Sequence, residues 1–117
     1  MIVSEVITRL RDILNDNAVN DEDRRWPNAK LWPHVDTTQK VILLTCSEFR
    51  LSAAGVYQTP GAVTGMGSAL MVPDEYKEAM ASFVAHLVLT DDNSDTNNAA
   101  QAAEYLKRYE RLMITTK

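Results

Sequence analysis

The chain has 117 residues, of which 45% are apolar and 24% charged, and a net charge of −4. Such a chain supports one domain around a single modest core, and its composition is that of a globular protein rather than a disordered one. The negative balance argues against general nucleic-acid binding, which needs a basic stripe to neutralise phosphates.

No apolar run approaches the ~18 residues of a membrane span. The opening MIVSEVITRLRD breaks its apolar run at Ser4 and Glu5, unlike a signal peptide. A single cysteine, Cys46, excludes an intramolecular disulfide and points to a reducing compartment. The expectation is one soluble domain over 1–117, made in the cytosol.

Apolar spacing predicts four helices. In the first, Val3, Val6, Ile7, Leu10, Ile13 and Leu14 share one stripe, Ser4 is the candidate cap, and the helix ends in the polar run Asn15 to Asp23. The second starts near Trp26-Pro27-Asn28 and runs to about Arg50, with Leu31, Val35, Thr38, Val41, Ile42, Cys46 and Phe49 on its stripe. Pro33 lies inside it, so a kink or short break is expected there.

Between the second and third helices lies an insert, 51–73, LSAAGVYQTPGAVTGMGSALMVP. It carries no charged residue and holds all four glycines of the chain. A structureless segment of that length inside a compact domain is unusual, and such segments are usually functional, disordered or misassigned. Val56-Tyr57-Gln58-Thr59 is a candidate strand within it.

The third helix is the clearest. Pro73-Asp74-Glu75 starts it, and Tyr76, Ala79, Met80, Phe83, Val84, Leu87 and Val88 keep the three- and four-residue step. After DDNSDTNN the fourth places Ala99, Ala102, Ala103, Leu106, Tyr109 and Met113 on one face. The fold class expected is mainly α: a small four-helix bundle with a long uncharged loop or short β-hairpin between helices 2 and 3.

Catalytic chemistry is missing from the pattern. His34 and His86 have no second ligand at helical spacing, so neither is read as a metal ligand. Cys46 has apolar neighbours and nothing to lower its pKa, so it is read as buried. The run from Asp91 to Thr96 resembles a calcium loop, but Thr96 and Ala102 stand where that loop needs glycine and glutamate. Gly61, Gly65 and Gly67 lack the Lys-Ser/Thr pair of a phosphate cradle. No catalytic, cofactor or metal residue is predicted, and the protein is not expected to be an enzyme. Trp26 and Trp32, beside Pro27 and Pro33, are candidate core anchors or interface residues.

Taken in order, VSEVITRLRDILND, RRWPNAKLWPHVDTTQKVIL and VPDEYKEAMASFVAHLVLTDDNSDTNNAAQAAEYLKRYERLM carry a resemblance. They are similar to a family of tailed-phage head–tail connector (adaptor) proteins over roughly 1–50 and 72–113. That family opens with a helix ending in Arg-Asp-hydrophobic-Leu-x-Asp, then an Arg-Trp helix start. It closes with a Pro-Asp-x-Tyr helix start, a polar loop ending in Asn-Ala-Ala and a helix carrying spaced aromatics. Many relatives hold a long β-rich insertion between the helix pairs where this chain has only 51–72. Pro33 and LLTCSEF also depart from the family pattern.

The resemblance implies a structural virion protein of the neck, made in the host cytoplasm and without cofactor. It implies a ring, commonly dodecameric, on the portal protein that binds tail or neck proteins and lets DNA pass without sequence-specific contact. In that setting the insert is a partner-binding loop using Val56, Tyr57, Val63, Met66, Leu70 and Met71, which bury apolar atoms without desolvating charge. Deleting 55–67 is then expected to spare the fold and abolish assembly. An equal alternative makes the insert a hairpin covering one end of the bundle. The alternative function is a small helical regulatory or DNA-binding/inhibitor protein, although Tyr109 and Glu110 interrupt its best basic stretch, 107–111.

Overall fold

The computed structural model describes residues 1–16, 20, 25–91 and 96–116. Among them four helices form: α1 (Val3–Leu14), α2 (Asn28–Thr45), α3 (Lys77–Asp91) and α4 (Thr96–Thr116). The expected four-helix, mainly α architecture holds. Most of the polar run after α1 and residues 92–95 of the calcium-loop-like run lie outside the described residues.

α3 buries Ala79, Met80, Ala81, Ser82, Val84, Ala85, Val88 and Leu89, which leaves it no wide polar face. A helix apolar nearly all round belongs in the centre. It packs against α1, α2 and α4, with the closest neighbour α4.

Long-range contacts fix an up-down-up-down order. Arg11 at the end of α1 meets Asn28 at the start of α2, with Nη2 to Oδ1 2.6 Å. His34 near the start of α2 meets Asp91 at the end of α3, 3.0 Å apart. His86 and Phe83 of α3 meet Ala102 and Tyr109 of α4.

The α1 stripe is buried as predicted at Val3, Val6, Ile7 and Leu10. Its cap is not. Ser4 lies inside the first turn, and the residue before the helix is Ile2, whose side chain cannot accept a hydrogen bond. The free donors of the first turn are met instead by the insert: Val3 N–H donates to the Ser68 carbonyl (3.0 Å) and Ser4 N–H to the Met66 carbonyl (2.9 Å). The far end stops at Asn15, whose φ of 53° is the left-handed conformation Asn tolerates after a helix.

α2 is unbroken through Pro33, so of the expected kink or short break the break does not occur. Proline removes a single donor near the start of the helix, and the buried stripe of Leu31, Val35 and Ile42 spans it. Each such side chain contributes roughly 1.5–3 kcal/mol by burial. The helix ends at Thr45, short of the predicted Arg50; Cys46 leaves helical geometry and a 3-10 turn, Ser47–Arg50, follows. Tyr76 likewise sits in a 3-10 turn, Asp74–Tyr76, leading into α3, with its ring 5.1 Å from that of Phe49.

α4 buries Ala102, Tyr109 and Met113 of its predicted face and packs Leu106 against the core, while Ala99 and Ala103 are exposed and Asn98 is buried. Phe83 packs on this face, its ring 4.7 Å from that of Tyr109.

The insert divides into two parts. Its second part straps the bundle: Leu70 and Val72 belong to the core, Leu70 N–H donates to the Met1 carbonyl (2.9 Å), and Ile2 and Ala69 form an isolated antiparallel bridge. Its first part is a tight turn standing outside the core. Ser52 N–H donates to the Val56 carbonyl and Gln58 N–H to the Arg50 carbonyl, at 2.9 and 2.8 Å. Gly55 supplies the φ of +77° which that turn needs. Val56–Thr59 is therefore not a strand; one bridge, Leu51 to Tyr57, replaces the expected hairpin.

Candidate functional site

The outer turn of the insert exposes apolar side chains. Val56 is 61% and Tyr57 58% exposed, and Leu44, at the end of α2, is 84% exposed. Arg50 steadies the turn, its Nε donating to the Gln58 carbonyl (2.8 Å) and its guanidinium 6.0 Å from the Tyr57 ring centroid. A shallow hollow of about 370 Å³ lies in the same region, lined by Leu43, Leu44, Thr59 and Pro60 with Lys40 and Arg50 at its edge. Leu44 was absent from the sequence expectation. Its signal was a leucine two residues from both Ile42 and Cys46, off the α2 stripe.

The predicted loop residues do not act together. Val56 and Tyr57 are available to a partner. Val63 and Met66 are partly buried against the core. Leu70, 7% exposed, is a core residue and not a contact residue, because the chain crosses α1 there with its side chain inward. Met71 is held by its backbone, whose N–H donates to Gln39 Oε1 at 2.9 Å. Gly61, Gly65 and Gly67 have open space where a Cβ would sit, so no packing within this chain requires them.

Trp26 and Trp32 are partly buried against the core, as core anchors would be. Trp26 is tied into a buried polar hub around Arg11. That guanidinium meets the Asp16 carboxylate (3.0 Å), the Trp26 carbonyl (3.1 Å) and Asn28 Oδ1, while Trp26 N–H donates to Asp16 Oδ2 (3.1 Å). The hub joins α1 to α2 across 11 residues of intervening polar sequence, 15–25.

Beside Trp26 a groove of about 620 Å³ runs between the end of α1 and α4, with Ile13, Leu14, Trp26, Leu89 and Tyr105 on its apolar walls. Arg25, Arg108, Arg111 and Glu104 stand around it. A second hollow of about 530 Å³ shares Arg25 and Trp26 and adds Lys30, His34, Val88 and Asp91. None of these positions except Trp26 was singled out from the sequence as a contact residue.

The histidines tie helices together: His34 Nε2 to Asp91 Oδ2, and His86 Nδ1 to the Ala102 carbonyl at 2.9 Å. No group of three His, Cys, Asp or Glu side chains able to hold a metal occurs among the described residues. Cys46 is buried, as expected. Burial pushes the Tyr76 phenol above its ordinary range, with Cys46, Glu48 and Glu75 adding to the effect, and burial does the same to Tyr109. None of the described helices is long and apolar enough to cross a membrane. The chain matches no family model, no curated protein and no solved structure.

Proposed function

We propose that this protein is a head–tail connector of a tailed phage: a non-enzymatic subunit that assembles as a ring, commonly dodecameric, on the portal protein. There it joins the head to tail or neck proteins and lets DNA pass without sequence-specific contact. The sequence resemblance motivates the reading, and the observation that carries it is the exposure of Val56 and Tyr57 on the outer turn of the insert, with Leu44 also exposed at the end of α2. Exposed apolar patches mark protein interaction sites. The turn that carries Val56 and Tyr57 has no charged side chain of its own, and Arg50 is the one cation the described contacts place against it.

The deciding experiment is native mass spectrometry of the protein alone and mixed with the portal ring encoded by the same genome. A portal carrying a full ring of copies, lost in a Val56→Asp/Tyr57→Asp double variant, is the expected result. A protein that stays monomeric and leaves the portal unchanged would sink the proposal.

The second reading, a small helical regulator that binds DNA, draws on Arg25, Lys30, Arg108 and Arg111, which gather around Trp26 although they are scattered in sequence. A salt-sensitive gel shift at micromolar protein would favour it.

A further inference from the structure

We infer that the groove between α1 and α4 is a second docking site, built to receive an acidic segment with an apolar anchor from another protein. The walls are apolar and aromatic, and the groove's volume of about 620 Å³ falls in the range of pockets that enclose a ligand.

Its rim runs against the charge of the chain. The protein as a whole is at −4. Around the groove and its neighbouring hollow, four cations (Arg25, Lys30, Arg108 and Arg111) face two carboxylates, Glu104 and Asp91, among the described residues. Both carboxylates are engaged, Asp91 by His34 at 3.0 Å and Glu104 by Lys107 at 3.8 Å. Arg108 is shared with Glu78 at 3.4 Å. Lys30 and Arg111 are exposed and make no ion pair among the described residues. Carboxylates of an incoming segment therefore have two uncommitted cations to meet, and its apolar side chains have Trp26, Leu14 and Tyr105.

Charge also chooses between occupants. A short segment with a few carboxylates responds to the local rim, because more distant charge is screened beyond ~8 Å at physiological salt. A nucleic acid needs a basic stripe that follows several phosphates, and its length would meet the acidic remainder of the surface. The apolar floor gives a phosphate backbone nothing to bind.

The site is separate from the exposed turn. Lys30 lines the hollow that shares Arg25 and Trp26 with the groove, Leu44 lines the hollow beside the insert turn, and both lie on α2. Their spacing along the helix puts them about 21 Å apart at ~1.5 Å per residue. The molecule thus offers two surfaces of different chemistry, an uncharged apolar end and a cationic aromatic groove. The inference stands whether or not the protein binds a portal.

The two tryptophans supply the test, since Trp26 lines the groove and Trp32 does not. The indole N–H resonances of 15N-labelled protein would be followed during titration with a 12-residue peptide of alternating Glu-Asp and Leu-Phe pairs. The expected result is a saturable shift of Trp26 with Trp32 unmoved, and binding weakened at least about tenfold in Lys30→Glu/Arg111→Glu, whose side chains are exposed. A peptide of the same apolar residues with Lys in place of the acids should not bind. Three outcomes would overturn the inference: no shift of Trp26 at millimolar peptide; a stronger response to a single-stranded oligonucleotide than to the peptide; or a Trp26 shift that follows protein concentration alone, which would give the groove to a second copy of this chain.

Discussion

The side-chain carbonyl of Gln39, buried in α2, accepts the backbone N–H of Met71 at 2.9 Å across 32 residues of sequence. This bond fastens the second part of the insert to the bundle. Gln39→Met keeps the volume and leaves the Met71 N–H without its partner, which costs about 1–3 kcal/mol. The amide nitrogen of Gln39 has no partner, so its loss offsets part of that cost. We expect a lower urea midpoint at unchanged slope, together with faster hydrogen exchange at Met71. An unchanged exchange rate there would show that the bond does not hold the strap.

The two parts of the insert should respond oppositely to change. Val56→Ser and Tyr57→Ser alter exposed side chains and should stay within about 0.5 kcal/mol of the parent in stability. Deleting 55–67 removes the Met66 carbonyl that caps Ser4 N–H and displaces the Ser68 carbonyl that caps Val3 N–H. Contrary to the expectation from sequence, that deletion should destabilise α1. Thermal unfolding followed by far-UV circular dichroism separates the cases, and a deletion variant melting with the parent would refute the capping role.

Arg11 is 5% exposed and donates to acceptors on Asp16, Trp26 and Asn28, on two chain segments. Arg11→Leu strands the largely buried Asp16 carboxylate and should cost about 3–5 kcal/mol in denaturant unfolding. Arg11→Lys should rescue little, because one ammonium on a shorter stem cannot reproduce the planar fork. Recovery of full stability by lysine would mean that charge alone, and not geometry, matters at this hub.

Tyr76 and Tyr109 govern the alkaline limit. Both phenols are raised above 10.0 in the folded protein, mainly by burial. The unfolded chain therefore releases these protons first as pH rises, so their contribution is intact below about pH 10 and declines above it. Tyr76→Phe and Tyr109→Phe should each flatten the loss of stability above about pH 10. Identical alkaline midpoints in parent and double variant would rule these phenols out.

Local periodicity alone determined where the helices lie. The stripe of α1, the stripe of α2 as far as Thr45 and the central α3 were legible because each buries its own apolar residues at a three- and four-residue step. Cys46 was legible for the same reason. Pro33 read as a kink or a short break, and no break occurs, since a helix with a long buried stripe tolerates one missing donor near its start.

The proposed interaction surfaces were legible only in part. Val56 and Tyr57 stood out as apolar residues in an uncharged turn. Leu70 looked the same and proved to be core, because backbone bonds to Met1, Val3 and Ser4 draw residues 66–70 across α1, and a backbone carbonyl has no signature in a side-chain sequence. The face of α4 was legible at Ala102, Leu106, Tyr109 and Met113, but not the exposure of Ala99 and Ala103. The groove gathers residues 13–14, 25–26, 89 and 98–111, which no local pattern relates. Helices are written in neighbouring residues; caps, facing and grooves depend on which distant residues the packed bundle brings together, and that only the tertiary structure decided.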